Sequence, residues 1–273
     1  MKTGVVVFLD GKLEEHFKKA SAAGFTTCQL VGWELDKFTE EYAEKTKKYE
    51  KKYGMEVSAF WCGWSGPQKW NFKEGPHTLG LVPVTYRAQR IKDLKKGSDF
   101  AKMIGVTDVV THMGFIPENS MTEEYMTLVI AIREVAEYFK NNGQYLLFET
   151  GQETPTTLMR TIHDVGTGNM GVNIDPANLI LYGKANPIDA LEIFGKLVRG
   201  VHAKDGLYPT DGEKLGTEVP VGEGKTNFPK FIKLLKEIGY DGAVTIEREI
   251  SGEQQDKDIA KTKVYLEELF AAN

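Results

Sequence analysis

Four side chains able to hold a metal or move a proton each follow a short apolar run. Glu149 closes the run in QYLLFETG, Asp175 follows VNI in VNIDPANL, His202 lies in VRGVHAKDG, and Glu247 ends the run in AVTIERE. Alternation in an extended chain turns every second residue to one face. His202 and Lys204 therefore share a side, opposite Val201 and Ala203. Three carboxylates and an imidazole gathered in an apolar setting are costly unless positive charge compensates them. One divalent cation would do so, and a mixed oxygen and nitrogen donor set suits Mn, Mg, Co, Zn or Fe. Each residue also has an ordinary structural role open to it. Asp175 before Pro176 can close an Asx turn, Glu247 can pair with Arg248, Glu149 before Thr150 can cap the next element, and a strand histidine can be a hydrogen-bonded core residue. The chemical reading rests on all four standing at successive strand ends, which depends on the elements that carry them.

Apolar runs alternate with amphipathic runs along the whole chain. Strands are expected at 4–9, 25–32, 55–64, 106–114, 144–151, 170–179 with its exit, 199–205 and 242–249. Helices are expected at 13–24, 38–54, 86–105, 122–143, 154–166, 186–198, 227–239 and 256–273. Helix-ending glycines precede several strands, at Gly24, Gly54, Gly105, Gly143 and Gly239. Eight strand–helix units in 273 residues match the size of a (β/α)8 barrel, predicted here as one domain over 1–273. A doubly wound open sheet would carry a glycine-rich phosphate loop after its first strand; this chain has DGKLEEH there. Two connections are long, 61–84 and 205–226. Both follow strand C-termini, the face on which barrel active sites are built, so they are expected to overlie it.

The net charge is −5, which argues against duplex DNA and acidic membranes as partners. Cys28 and Cys62 show no ligand or disulfide spacing and read as core residues of a cytoplasmic protein. The apolar run at Val5–Leu9 is too short to span a membrane or form a signal-peptide core.

In this order, the motifs LLFETGQ, VNIDPANL, VHAKDG, PVGEGKTNF and AVTIERE resemble the xylose isomerase-like TIM barrel superfamily. That group includes sugar phosphate isomerases/epimerases and AP endonuclease family 2 proteins. The resemblance covers nearly the whole chain and implies that Glu149, Asp175, His202 and Glu247 bind one divalent metal. The DNA-repair members need further histidines. This chain has Asn178 where one is expected, and GTEVPVGEG where an Asp-x-His pair is expected, so a trinuclear zinc site is not expected. Asn178 departs from the ketohexose 3-epimerase pattern as well.

The resemblance implies isomerisation or epimerisation of a sugar or sugar phosphate through a metal-stabilised enediolate. Glu149 and Glu247 would act as the proton-transfer pair on the two faces of the substrate. His112, Lys204 and Asn178 would bond its oxygens, and Trp33 and Trp64 would cover its C–H faces. The glycines of GEG (222–224) offer amide groups for a phosphate. A metal-dependent lyase acting on an inositol-like ketone would use the same proton abstraction. A metal-free glycosidase using Glu149 and Glu247, and an AP-endonuclease-like phosphodiesterase, are further alternatives. The partner expected is a small carbohydrate, with no nucleic acid and no membrane; a homo-oligomer is compatible with the sequence.

Overall fold

The computed structural model describes residues 1–272. Eight parallel strands close into a barrel: β1 (Lys2–Phe8), β2 (Thr27–Gly32), β3 (Glu56–Cys62), β4 (Asp108–Thr111), β5 (Tyr145–Glu149), β6 (Met170–Ile174), β7 (Val198–Ala203) and β10 (Ala243–Ile246). Neighbours pair in chain order, and β1 closes the ring against β10 with Lys2 beside Ala243. Around it lie α1 (Leu13–Ala22), α2 (Glu40–Tyr53), α3 (Gly75–Thr78), α4 (Val84–Met103), α5 (Glu123–Asn141), α6 (Pro155–Val165), α7 (Pro176–Leu181), α8 (Pro187–Phe194), α9 (Phe228–Glu237) and α10 (Glu253–Ala271). This is the (β/α)8 barrel that the alternation predicts.

Local chemistry sets the element ends. Thr39, Thr122 and Thr154 cap α2, α5 and α6, each hydroxyl accepting the backbone N–H three residues on. Gly54 ends α2 in the left-handed region (φ 62°), where a side chain would be strained. Pro155, Pro176 and Pro187 open α6, α7 and α8. Strand six is shorter than its apolar run because Asp175 caps α7 directly.

The long connections carry more structure than their composition suggests. Segment 205–226 contains an antiparallel hairpin, β8 (Asp205–Leu207) with β9 (Thr217–Val219). The buried Asp205 carboxylate accepts the amides of Gly206, Gly222, Gly224 and Thr226 at 2.9–3.0 Å. These bonds consume the Gly222 and Gly224 N–H groups, so the phosphate cradle expected at GEG does not form. Segment 61–84 holds the end of β3, the one-turn α3 and otherwise irregular backbone. Arg90, fully buried on α4, pins it by donating to the carbonyls of Ser65, Pro67 and Gly80 at 2.7–3.1 Å.

Cys28 and Cys62 are buried in the core, which lies in two layers. Phe17, Phe60, Phe100 and Phe139 belong to the larger cluster, which includes helix residues packed on the outer strand faces. Val31, Ala59, Trp61, Val110 and Leu147, inside the barrel, belong to the second cluster, which also takes in Trp64 and Leu79. The interior also holds the buried polar residues Gln29, Asn173, Thr245 and His202. The parallel pairing slips by one residue at Cys28/Gln29 and again at Val172/Asn173. Such irregularities re-aim side chains, and here Gln29 and Asn173 meet across the interior, Nε2 donating to Oδ1 at 3.2 Å.

Candidate active site

Glu149 is the last residue of β5, Asp175 follows β6, His202 lies in β7, and Glu247 follows β10. Parity within each parallel strand turns all four inward at the C-terminal end of the barrel. Their donor atoms lie within 4.8 Å of one another. Nδ1 of His202 faces Glu149 Oε1 and Glu247 Oε2, each at 3.3 Å, and Asp175 Oδ2 at 3.5 Å.

The unpaired atoms of the cluster fit a cation. Asp175 Oδ1 accepts the Asn178 amide at 2.9 Å as the α7 cap, while Oδ2 is buried without a hydrogen-bond partner. The Asx role and the inward role thus belong to different oxygens of one carboxylate. His202 Nε2 donates to Gln29 Oε1 at 2.7 Å, and its Nδ1 is buried and unpartnered. A carbonyl oxygen accepts only, so Gln29 holds a ring proton on Nε2; an ion that displaced the second proton from Nδ1 would find that lone pair facing the cluster. Three oxygen donors and one imidazole nitrogen, two of them orphaned, fit a divalent cation.

The electrostatics are tightly coupled. Burial alone would push Glu149 up, but His112 and His202 hold it well below the usual carboxylate range. Burial opposes ionisation of Glu247 too, and Lys204 and His202 overcome it, bringing Glu247 down to about 2. Lys204 is disfavoured as a cation by burial, yet Glu247, Glu249 and Asp175 raise it well above the ordinary lysine value. His202 is likewise raised by Glu247 and Glu149 against the cost of burial.

The remaining expected residues fall into two groups. Lys204 shares the side of His202, with Nζ 3.2 Å from Glu247 Oε2 and 3.2 Å from Asn178 Oδ1. Asn178 donates to Glu149 Oε1 at 3.2 Å, and His112 Nε2 lies 3.4 Å from the same oxygen. Trp33 lines the cavity above the cluster, together with Trp61 and Trp70. Trp64 does not line it. Only 2% exposed, it is buried in the same cluster as Trp61, packed against Trp33 and Trp61 with the Arg90 guanidinium over its ring.

Several functional neighbours escaped the sequence reading. Trp61 donates its indole N–H to Glu149 Oε2; it shares strand parity with Ala59, but WCGW alone does not say which tryptophan points in. Gln29 was visible as a polar residue within the apolar run CQLV. Glu249 shares parity with Glu247 and lies 3.1 Å from Lys204. Glu153, buried after β5, has an orphaned Oε1, and burial pushes its carboxyl up to about 7.

A cavity of about 1040 Å³ opens over Glu149 and Glu247. Among the described residues, no helix is long and apolar enough to cross a membrane.

Comparison with known proteins agrees with the barrel fold. A xylose isomerase domain protein from Planctomyces limnophilus superposes with a TM-score of 0.91 and 34% identity, covering 98% of this chain and 96% of that one. A D-tagatose 3-epimerase-like protein superposes with a TM-score of 0.78 at 22% identity, covering 99% and 97%, a likeness of fold. An uncharacterised protein of Methanocaldococcus jannaschii is 30% identical over 171 residues, 59% of this chain and 55% of that one. The chain thus matches about half the length of that curated relative. The family model described as xylose isomerase-like TIM barrel, of AP endonuclease family 2, matches residues 17–269. The chain belongs to the xylose isomerase-like TIM barrel family.

Proposed function

We propose that this chain is a divalent-metal-dependent isomerase or epimerase of a sugar or sugar phosphate, acting by proton removal next to a carbonyl. The observation that carries this reading is the pair Glu149 and Glu247. They stand three steps apart round the barrel, each 3.3 Å from the same imidazole nitrogen, beneath an open cavity. Glu149, Asp175, His202 and Glu247 would hold the ion, which supplies Lewis-acid polarisation of a carbonyl oxygen.

The chain's own residues do the rest. Both glutamates are held ionised by neighbouring cations, so either can take the proton from carbon. Its return by the same glutamate to the neighbouring carbon gives isomerisation, whereas inversion requires the partner glutamate first to take up a proton from solvent and deliver it to the opposite face. Asn178 and His112 orient Glu149, while Lys204 orients Glu247 and adds positive charge where the substrate oxygen becomes negative. Trp33, Trp61 and Trp70 exclude water from one wall and offer flat faces to C–H bonds.

Solvent exchange tests the reading. In D₂O, the metal-loaded protein is expected to exchange a C–H proton adjacent to the carbonyl of at least one ketose or ketose phosphate. Glu149→Gln and Glu247→Gln should each slow exchange by about 10²–10⁴-fold, followed by NMR. Tight metal binding with no exchange across ketoses, inososes and their phosphates would overturn it.

A further inference from the structure

The cavity above Glu149 and Glu247 is larger than a simple sugar requires. Its volume of about 1040 Å³ lies at the upper end of the roughly 300–1,000 Å³ typical of sites for drug-sized ligands. The excess lies over the rim of β1, between α1 and α10. There the cavity continues along Phe8, Ala20 and Ala23 on one side and Ile259, Ala260 and Val264 on the other. Small side chains at Ala20, Ala23 and Ala260 leave the trough open where larger residues would close it. Phe8 is 45% and Val264 56% exposed, so exposed apolar surface, crossed by the Lys19–Asp256 ion pair, is joined directly to the catalytic cavity. Apolar patches of this kind mark binding sites.

The charges along the same wall are spent internally. Lys19 bridges the trough to Asp256 at 2.5 Å. Lys263 pairs with Glu267 at 2.7 Å. Arg248 pairs with Glu218 and Asp258 at 2.9 and 2.8 Å, and His16 pairs with Asp10 at 3.0 Å. Along the trough, away from the carboxylates that would hold the ion, the basic groups His16, Lys19, Arg248 and Lys263 each have an acidic partner, so a phosphate on the far end of a substrate would find no free side-chain cation there.

We infer that the substrate is an uncharged sugar carrying an alkyl or aryl substituent: its polar part lies over Glu149 and Glu247, and its apolar substituent lies in the trough between α1 and α10. This rests on the sugar reading above and narrows its substrate class. The occupant is argued from continuity, because one cavity is polar at the carboxylates and apolar at the helices. An amphiphilic substrate matches both ends, and burying each methylene of the substituent adds affinity.

Binding can be read without turnover through the fluorescence of Trp33, Trp61 and Trp70, or by calorimetry, using the metal-loaded full chain. The probes are fructose, 6-O-methylfructose, 6-O-hexylfructose below its micelle concentration, and fructose 6-phosphate, all of which keep the carbonyl the reaction needs. The hexyl ether is expected to bind about tenfold or more tightly than the methyl ether, and fructose 6-phosphate no better than fructose. Val264→Glu, at an exposed position, should reduce the hexyl-to-methyl ratio to near one. Equal binding of the two ethers, failure of Val264→Glu to change their ratio, or preference for the phosphate would each overturn the inference. So would no binding of either ether. Failure of solvent exchange with every carbonyl compound would instead strike the reaction itself, so the two ideas can fail separately.

Discussion

At the residue scale, the decisive pair is one carboxylate and one imidazole, each with one satisfied and one free atom. Asp175 spends Oδ1 on the α7 cap and keeps Oδ2. His202 spends Nε2 on Gln29, itself held by Asn173. Replacing Gln29 by Leu removes the acceptor that fixes the ring tautomer. Metal affinity should fall about 10–100-fold, measured by calorimetry, and ¹⁵N shifts of His202 should show loss of a single tautomer. Unchanged affinity would mean that strand packing alone orients the ring. Glu153 sets a pH dependence. Its carboxyl titrates near 7 in the folded chain and near 4.5 without burial, so folding takes up a proton between those values. The contribution of Glu153 to the stability of the metal-free protein should therefore decline as pH rises from about 4.5 to 7 and level off above. Glu153→Gln cannot ionise. Its stability relative to the parent should be about 1–3 kcal/mol greater at pH 8 than at pH 4.5, by urea denaturation. A difference independent of pH would reject the buried carboxyl as its source.

At the element scale, the connections on the C-terminal face are held by single buried side chains. Asp205 collects four amides of the hairpin segment, and Arg90 collects three carbonyls of 61–84. Asp205→Ala strands those amides, and each unsatisfied buried donor costs about 1–3 kcal/mol. Because the segment can rehydrate, the expected result is local: early proteolysis and fast hydrogen exchange over 205–226, with barrel strands still protected. Slow exchange throughout would show that β8–β9 pairing suffices. Gly224 is constrained by the same carboxylate, since a Cβ there would meet Asp205 Oδ1 at 2.2 Å.

At the scale of the whole molecule, barrel closure brings donors from four strands to one point, so ion binding should be linked to global stability. At a hundredfold excess over Kd, a cation that binds only the folded chain adds about 2.7 kcal/mol. That corresponds to roughly 5–11 °C in Tm for a chain of this size. Asp175→Ala should abolish the shift while retaining the barrel, read by calorimetry with and without Mn. A full shift in that variant would place the ion elsewhere.

The alternation of strands and helices, the caps at Thr122 and Gly54, and the inward parity of Glu149, Asp175, His202 and Glu247 were all readable in the sequence. Each is written in a few consecutive residues, and period-two and period-3.6 patterns survive without tertiary contacts. The barrel architecture then followed from the repetition of those units. Tertiary structure alone decided which tryptophans line the cavity, for Trp61 and Trp64 lie in one short stretch and pack together, yet only Trp61 of the two reaches it. It also decided that Gln29 meets His202 from 173 residues away. Those outcomes depend on one-residue slips in strand pairing and on where the ring closes between β1 and β10. Neither leaves a local pattern, because both are set by how the strands pack against one another.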